Sequence, residues 1–255
     1  QQLGPLKLST VVHRVAVLST AHQLKQQPNP CEAPAVRHLL ARARRAAVKR
    51  GERPRKKTAM TKRELGALVA TCDDSLEGLR DRALLYFAFA SGGRRRSEVA
   101  AADLADLHKQ DARTYVYHLH HSKTQQAGPT ATSTPNKPLL GVAAEAMSAW
   151  LAASGLTEGP IFRRLWKTRI GAGLSDKAVA LIIQRRARRA GLEGDFGGHS
   201  PRSGFITEGG RQGVALPALM QLTGHQSVAA AIGYFQAGGV VDNPAARLLD
   251  DESSA

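Results

Sequence analysis

An apolar segment at residues 79–91, LRDRALLYFAFAS, constrains the fold more than any other stretch of the chain. Its apolar residues lie on most sides of a helix, which is typical of a helix buried in a core. Gly92 and Gly93 end this predicted helix. Three arginines and Ser97-Glu98 follow directly. We therefore expect a central core helix followed by arginines, at least one of them held inward and oriented by Glu98.

Helical patterns also occupy much of the remaining chain, because apolar residues recur at three- and four-residue steps among good helix formers. Further helices are predicted at residues 1–24, 35–50, 61–69, 141–153 and 175–190. Residues 114–123 instead alternate in polarity, and residues 130–139 follow after a Gly-Pro turn, which predicts a hairpin. The fold class is therefore mainly α with a small antiparallel β-sheet.

The segment GERPRKKTAM at residues 51–60 is the best domain boundary. It combines Gly, Pro and a run of charge with no apolar periodicity, which is typical of a linker. We expect a helical domain at residues 1–52 and a second domain at residues 53–255.

An excess of basic residues limits the partners of the chain. It has 36 Lys and Arg against 21 Asp and Glu, a net charge of +15, which favours nucleic acid as a partner. The candidate DNA contacts are Arg42, Arg45, Arg55, Lys56, Lys57, Arg94, Arg96, Arg185, Arg186 and Arg189. No apolar run approaches a membrane span. Two cysteines without zinc spacing fit a reducing compartment, and we expect a cytoplasmic protein.

A group of residues between 199 and 234 has the chemistry to cleave a phosphodiester. Arg202 can bind phosphate oxygens, His199 and His225 can transfer or donate protons, and Tyr234 can attack phosphorus. Each residue alone is weak evidence, since a tyrosine in a helix is usually a core or surface residue. Their order and spacing along the chain carry the prediction.

Two further residues complete this predicted site. Arg95 can provide a second phosphate clamp, and Lys123, near the hairpin turn, can protonate the leaving oxygen. A two-metal mechanism has no obvious carboxylate ligands in the sequence. His118 and His120 share a strand face, but no Cys or carboxylate stands at ligand spacing beside them. We therefore expect no metal and no cofactor.

These motifs resemble those of the tyrosine recombinase (phage integrase) family. The resemblance rests on Gly-x-Arg-x-Ser-Glu, the hairpin Ser-Lys-Thr, His-x-x-Arg, Gly-His and a tyrosine nine residues later. By position it implies that the catalytic residues are Arg95, Glu98, Lys123, His199, Arg202, His225 and the nucleophile Tyr234.

The resemblance also implies an architecture and partners. It implies the tyrosine recombinase catalytic fold, of the DNA breaking-rejoining type, preceded by a partial helical core-binding domain. It implies double-stranded DNA as substrate, a tetramer on two sites, and docking of the C-terminal tail near Leu248 and Leu249 on a neighbouring subunit. Two alternatives remain at this point: a type IB topoisomerase-like enzyme, and a DNA-binding protein with a relict site.

Overall fold

The computed structural model describes residues 6–52, 57–120, 134–167, 169–225, 227–229 and 231–233. The chain divides into two compact units, Gln1–Lys56 and Lys57–Ala255. The division falls inside the predicted 51–60 linker, a few residues beyond the boundary expected after residue 52. The assignment of the first unit as a partial core-binding domain stays a prediction.

The first unit contains two of the predicted helices, α1 (Leu8–Leu24) and α2 (Pro34–Lys49). The turn between them is held by Asn29, which accepts from the Cys31 backbone N–H (3.0 Å) and donates to Ser19 Oγ (2.8 Å). Helix α1 buries no side chain, and α2 buries Ala47 alone. Leu24 and Val48 are exposed, so this unit has little apolar core of its own.

The second unit contains the remaining described helices. They are α3 (Lys62–Ala70), α4 (Leu76–Ala90), α5 (Arg96–Ala100), α6 (Val142–Ser154), α7 (Asp176–Arg189), α8 (Ser200–Arg211) and α9 (Leu216–Thr223). The predicted capping box is confirmed at α3, where the Thr61 backbone N–H donates to Glu64 (3.0 Å). Among the described residues, no helix is long and apolar enough to cross a membrane.

Helix α4 lies in the core, as the sequence predicts. Ala83, Leu84, Leu85, Phe87 and Ala88 are all buried. The ring of Phe87 contacts two other core aromatics edge to face, at 5.1 and 5.5 Å between centroids. Helix α6 packs beside α4, and its buried Trp150 donates to a backbone carbonyl (2.9 Å). The aromatic contacts and this satisfied indole position α4 within the second unit.

A three-stranded antiparallel sheet has the order β1 (Leu107–Asp111), β2 (Thr114–His118) and β3 (Asn136–Leu140). The predicted pairing of β2 with β3 is confirmed, and residues 121–133 lie outside the described part of the chain. A second hairpin, β4 (Arg163–Trp166) with β5 (Arg169–Gly173), is not predicted from the sequence. Arg and Gly dominate it, so it lacks the apolar alternation that identifies a strand.

A buried charge cluster joins α4 to α7. Asp81 is fully buried and accepts from Arg80 Nη2 (2.6 Å), Arg185 Nη2 (2.7 Å) and Arg186 Nε (2.8 Å). Arg186 also donates to the backbone carbonyl of Thr71 (2.6 Å). The prediction that Arg186 contacts DNA is therefore wrong, because its guanidinium lies in the core and is bound to a carboxylate.

Candidate active site

Two glycines allow α8 and α9 to approach the end of α4. Gly92 and Gly93 have φ values of +95° and +67°, which glycine adopts at little cost. A Cβ atom on Gly92 would lie 2.5 Å from the carbonyl oxygen of Leu222, in α9. A Cβ atom on Gly93 would lie 2.6 Å from the Cα atom of Arg202, in α8. The two glycines therefore set the geometry of the site.

The arginines after these glycines point in different directions. Arg94 is 2% exposed, and its Nη1 atom lies 3.4 Å from Glu98 Oε2. Arg95 is partly exposed, and its Nη1 atom donates to Glu98 Oε1 (2.9 Å). The backbone N–H of Arg95 also donates to Glu98 (3.1 Å). The prediction that Glu98 holds at least one arginine inward is confirmed, and Glu98 binds two.

Arg202 lies in the first turn of α8, which begins at Ser200 directly after His199. It is 2% exposed. Its Nη1 atom donates to the carbonyl oxygens of Thr223 (2.7 Å) and Gly93 (3.3 Å), and its Nε atom donates to His225 Nε2 (3.3 Å). Arg202 therefore connects the glycine turn, the end of α9 and His225.

Both histidines of the site have a lowered pKa, which favours the neutral form of the ring. Burial, and then Arg202 and Arg95, lower the pKa of His225 to about 3. The same causes, in the same order, lower the pKa of His199. His225 Nε2 accepts from Arg202, so we place the ring proton on Nδ1, 2.8 Å from Thr223 Oγ1. Neutral imidazoles among guanidinium groups indicate a site arranged for an anion.

A lysine that the sequence interpretation missed lies beside this group. Lys137, on β3, is 1% exposed. Its Nζ atom donates to the Leu222 carbonyl oxygen (2.8 Å), and burial followed by Arg94 lowers its pKa to about 7. Lys137 pairs with Tyr117 and has the same parity along the strand as buried Leu139. A lysine on the apolar face of a strand is a signal that could have identified it.

The structure brings together Arg95, Glu98, Arg202 and His225. His199 keeps part of its surface exposed, while burial of the remainder and then Arg202 and Arg95 lower its pKa. The other two predicted catalytic residues, Lys123 and Tyr234, lie outside the described residues, and so does the tail with Leu248 and Leu249.

Residues 58–238 match the phage integrase family. The chain belongs to this family. The chain is 32% identical over 254 residues to the integrase/recombinase xerD homolog of Selenomonas ruminantium, and the match covers 96% of the chain and 73% of the relative. It is 26% identical over 269 residues to recombinase cre of Escherichia phage P1, which covers 98% of the chain and 77% of the relative. The family and the recombinase assignment predicted from the motifs are confirmed.

Solved structures share the fold of the chain. The Tn1549 transposon integrase in complex with transposon right end DNA has a TM-score of 0.61 at 12% identity, covering 90% of this chain and 75% of that chain. The XerH site-specific recombinase bound to palindromic difH substrate, in a post-cleavage complex, has a TM-score of 0.59 at 17% identity, covering 76% of this chain and 54% of that chain. The predicted tyrosine recombinase fold is confirmed.

The predicted DNA contacts of the chain fall into several groups. Arg94 is buried against Glu98, so the prediction that it contacts DNA is wrong. Arg55 and Lys56 lie outside the described residues. Those with an exposed or partly exposed side chain are Arg42, Arg45, Lys57, Arg96, Arg185 and Arg189. Three of these are paired with carboxylates: Lys57 with Asp195, Arg96 with Asp176, and Arg185 with Glu77 and Asp81.

The two strand histidines that suggested a metal alternative lie close together. The rings of His118 and His120 are 4.7 Å apart between centroids. Asp106, which its position in the sequence did not identify as a neighbour, lies 2.7 Å from His120 Nε2. Across the part of the chain that the structure describes, no group of three or more His, Cys, Asp or Glu residues is placed to hold a metal ion.

Proposed function

We propose that this integrase cuts and rejoins duplex DNA at a defined sequence through a covalent 3′-phosphotyrosine at Tyr234. The observation that carries the proposal is the cationic site at the glycine turn. Arg95 and Arg202 lie beside His225 and His199, whose pKa values are lowered by burial and by these two arginines, and Glu98 is the carboxylate that binds Arg95. Fixed positive charge of this kind stabilises the charge that develops on a phosphoryl group in the transition state.

In the cleavage step, the phenol oxygen of Tyr234 attacks the scissile phosphorus. The bond between phosphorus and the 5′ oxygen breaks as the new P–O bond forms. His199 accepts or relays the proton of Tyr234, and Lys123 gives a proton to the departing 5′ oxygen. Arg95 and Arg202 bind the nonbridging oxygens, while Glu98 positions Arg95.

Rejoining is the reverse reaction, with a 5′ hydroxyl from the partner strand as nucleophile. That hydroxyl attacks the phosphotyrosine, a new phosphodiester forms, and Tyr234 leaves with a proton. The phosphotyrosine retains the energy of the broken bond, so rejoining needs neither ATP nor another cofactor.

Binding of the scissile phosphate requires an exchange of partners at Arg202. Its guanidinium is bound to Gly93, Thr223 and His225 in the described structure. An anion at this position raises the pKa of His225, because it opposes the charges that lower it. His225 then donates to the phosphate as a third donor once a proton occupies Nε2.

Double-stranded DNA is the proposed partner, and the basic composition supports it through phosphate contacts. We further propose a tetramer on two DNA sites, with the C-terminal tail of one copy docked on the next. The unit Gln1–Lys56 is proposed as part of a DNA clamp, in which Arg42 and Arg45 contact the phosphate backbone of the DNA. The proposed location is the cytoplasm of a bacterium, at the nucleoid.

A trapping experiment tests the cleavage chemistry. The full chain is incubated with a pool of nicked duplexes of random sequence, and SDS-resistant protein–DNA adducts are recovered and sequenced. We expect adducts that share one sequence, loss of adducts in Tyr234→Phe with DNA binding retained, and normal adducts in the control Tyr86→Phe. Adducts that survive Tyr234→Phe would refute the proposal. Relaxation of any supercoiled plasmid without sequence preference would instead indicate a topoisomerase.

A further inference from the structure

The carbonyl oxygen of Leu222 receives two buried cations. Arg94 Nη2 donates to it at 2.6 Å, and Lys137 Nζ donates at 2.8 Å. Lys137 Nζ also lies 3.5 Å from the Gln221 carbonyl oxygen, and Arg202 binds that of Thr223. Three cationic side chains from different parts of the chain therefore meet at the C-terminus of α9. The last carbonyls of a helix are unpaired within it and carry partial negative charge, so they attract such groups.

Helix α9 has little apolar packing to hold it in place. Of its residues, Leu219 and Thr223 are buried. Leu219 packs closely over Gly209 of α8, where an added Cβ atom would lie 2.4 Å away. At the other end the helix stops at Gly224, which has a φ of +68°, and His225 follows at once. The position of His225 is therefore set by whatever holds the Leu222 and Thr223 carbonyls.

The buried cations are poorly compensated, which argues against a purely structural role. Lys137 is 1% exposed, and the carboxylate near it, Glu98, is already shared by Arg94 and Arg95. Buried charge of this kind lowers stability unless it is paired. Residues that lower the stability of the fold are common at functional sites, where they hold catalytic groups in the geometry that activity requires.

We propose that Arg94 and Lys137 are positioning residues for the strand-transfer reaction: together they clamp the Leu222 carbonyl and so hold His225 against Arg202. Neither side chain reaches the DNA, because both are almost fully buried. They act through α9, and His225 is the group that meets the phosphate. This inference rests on the proposed function only for its effect on cleavage.

The placement of His225 can be measured without DNA. In the full-length wild-type chain, the His225 ring signals in NMR are expected not to titrate between pH 5 and 8, since the pKa is about 3. Lys137 is not among the charges that lower the pKa of His225, so a changed His225 titration in Lys137→Met reports a change in the position of the His225 ring. We expect His225 in Lys137→Met to begin to titrate in this range, and to stay unchanged in Lys109→Met, which removes an exposed lysine from the same sheet.

The effect on the reaction is measured with the trapped adduct. Loss of a hydrogen bond from a charged group corresponds to about a 10- to 100-fold fall in the rate of adduct formation. We expect this fall in Lys137→Met and Arg94→Met, with DNA affinity for a random 40-bp duplex pool within about twofold of wild type. Arg94→Lys, which keeps a donor, should recover part of the rate. The melting temperature of Lys137→Met should not fall.

A mutant cycle separates positioning from general damage. If Lys137 acts through His225, then Lys137→Met should slow adduct formation by less than about twofold when His225→Ala is already present. An unchanged His225 signal in Lys137→Met, or a rate loss that keeps its full size in the His225→Ala background, overturns the inference. A wild-type chain that forms no adduct counts against the proposed function alone, because the NMR measurement still tests the clamp.

Discussion

Replacement of Lys137 by methionine should make the second unit more stable, and the gain should depend on pH. Burial, followed by Arg94, lowers the pKa of Lys137 from 10.5 to about 7. Between these values the unfolded chain binds a proton that the folded chain does not, so stability rises with pH. Below pH 7 both states are protonated, and the full penalty of burying the charge is present.

The magnitude follows from the pKa difference. A shift from 10.5 to about 7 corresponds to about 5 kcal/mol at 1.36 kcal/mol per pKa unit. Methionine has a similar length and removes this penalty, but it also removes the hydrogen bond to Leu222, worth about 1–3 kcal/mol. We therefore expect Lys137→Met to raise the free energy of unfolding by about 2–4 kcal/mol at pH 6. The gain should shrink by about 1.4 kcal/mol for each pH unit above 7.

Urea unfolding of both proteins at pH 6, 7, 8 and 9, followed by the fluorescence of buried Trp150, measures this difference. Burial also raises the pKa of Cys72, and raises that of Tyr117 to about 12. Those effects lower stability at alkaline pH in both proteins and cancel in the difference. A difference that does not change with pH would refute the reasoning, because it would show that Lys137 has the same pKa in both states.

Three further substitutions test other parts of the structure. Asp81→Asn removes the negative charge shared by three arginines, two of them buried, and should lower the free energy of unfolding by about 3–5 kcal/mol. The exposed control Asp74→Asn should change it by less than about 0.5 kcal/mol in the same urea titration, and equal effects would contradict the role of the cluster. Gly93→Ala and the control Gly155→Ala carry similar backbone strain, at φ +67° and +62°, but an added Cβ atom is crowded only at Gly93. Gly93→Ala alone should slow adduct formation, by at least about tenfold, and a similar loss in Gly155→Ala would refute the close approach to α8. Lys123→Ala should abolish cleavage of normal DNA, but the variant should still cleave a substrate with a 5′-bridging sulfur, because that leaving group needs no acid. Failure of this rescue would show that Lys123 is not the general acid.

The core helix and the order of the motifs could be predicted because both depend on the identity and spacing of side chains along the sequence. The apolar segment before Gly92 has no alternative to burial, and the capping box at Thr61 identifies a helix start. The three adjacent arginines could not be separated in the same way. Which of them turns inward depends on Arg95, whose extended backbone precedes α5, and on a backbone carbonyl from α9. A carbonyl group has no signature in the sequence.

For Arg186 and Lys137, the periodicity of the sequence predicts burial, although a charged side chain favours an exposed position. Arg186 follows Val179, Ile182 and Ile183 at helical spacing, on the buried stripe of α7. Lys137 has the parity of the inward residues of β3. Charge favours an exposed position for both residues, whereas periodicity places them inside. Periodicity decided the outcome because each residue has buried acceptors: Asp81 and a carbonyl for Arg186, and the end of α9 for Lys137.

The cluster around Asp81 has a consequence for behaviour on heating. Ions lose hydration free energy as temperature rises, so the penalty for removing these groups from water falls. At higher temperature, the attraction between the three arginines and Asp81 therefore has a smaller dehydration penalty to offset. The junction of α4 and α7 should therefore be relatively stronger in a warm cell than in a cold one. Hydrogen exchange of the amides flanking Asp81, followed from 10 to 45 °C, would show this junction opening later than the exposed helices of the first unit.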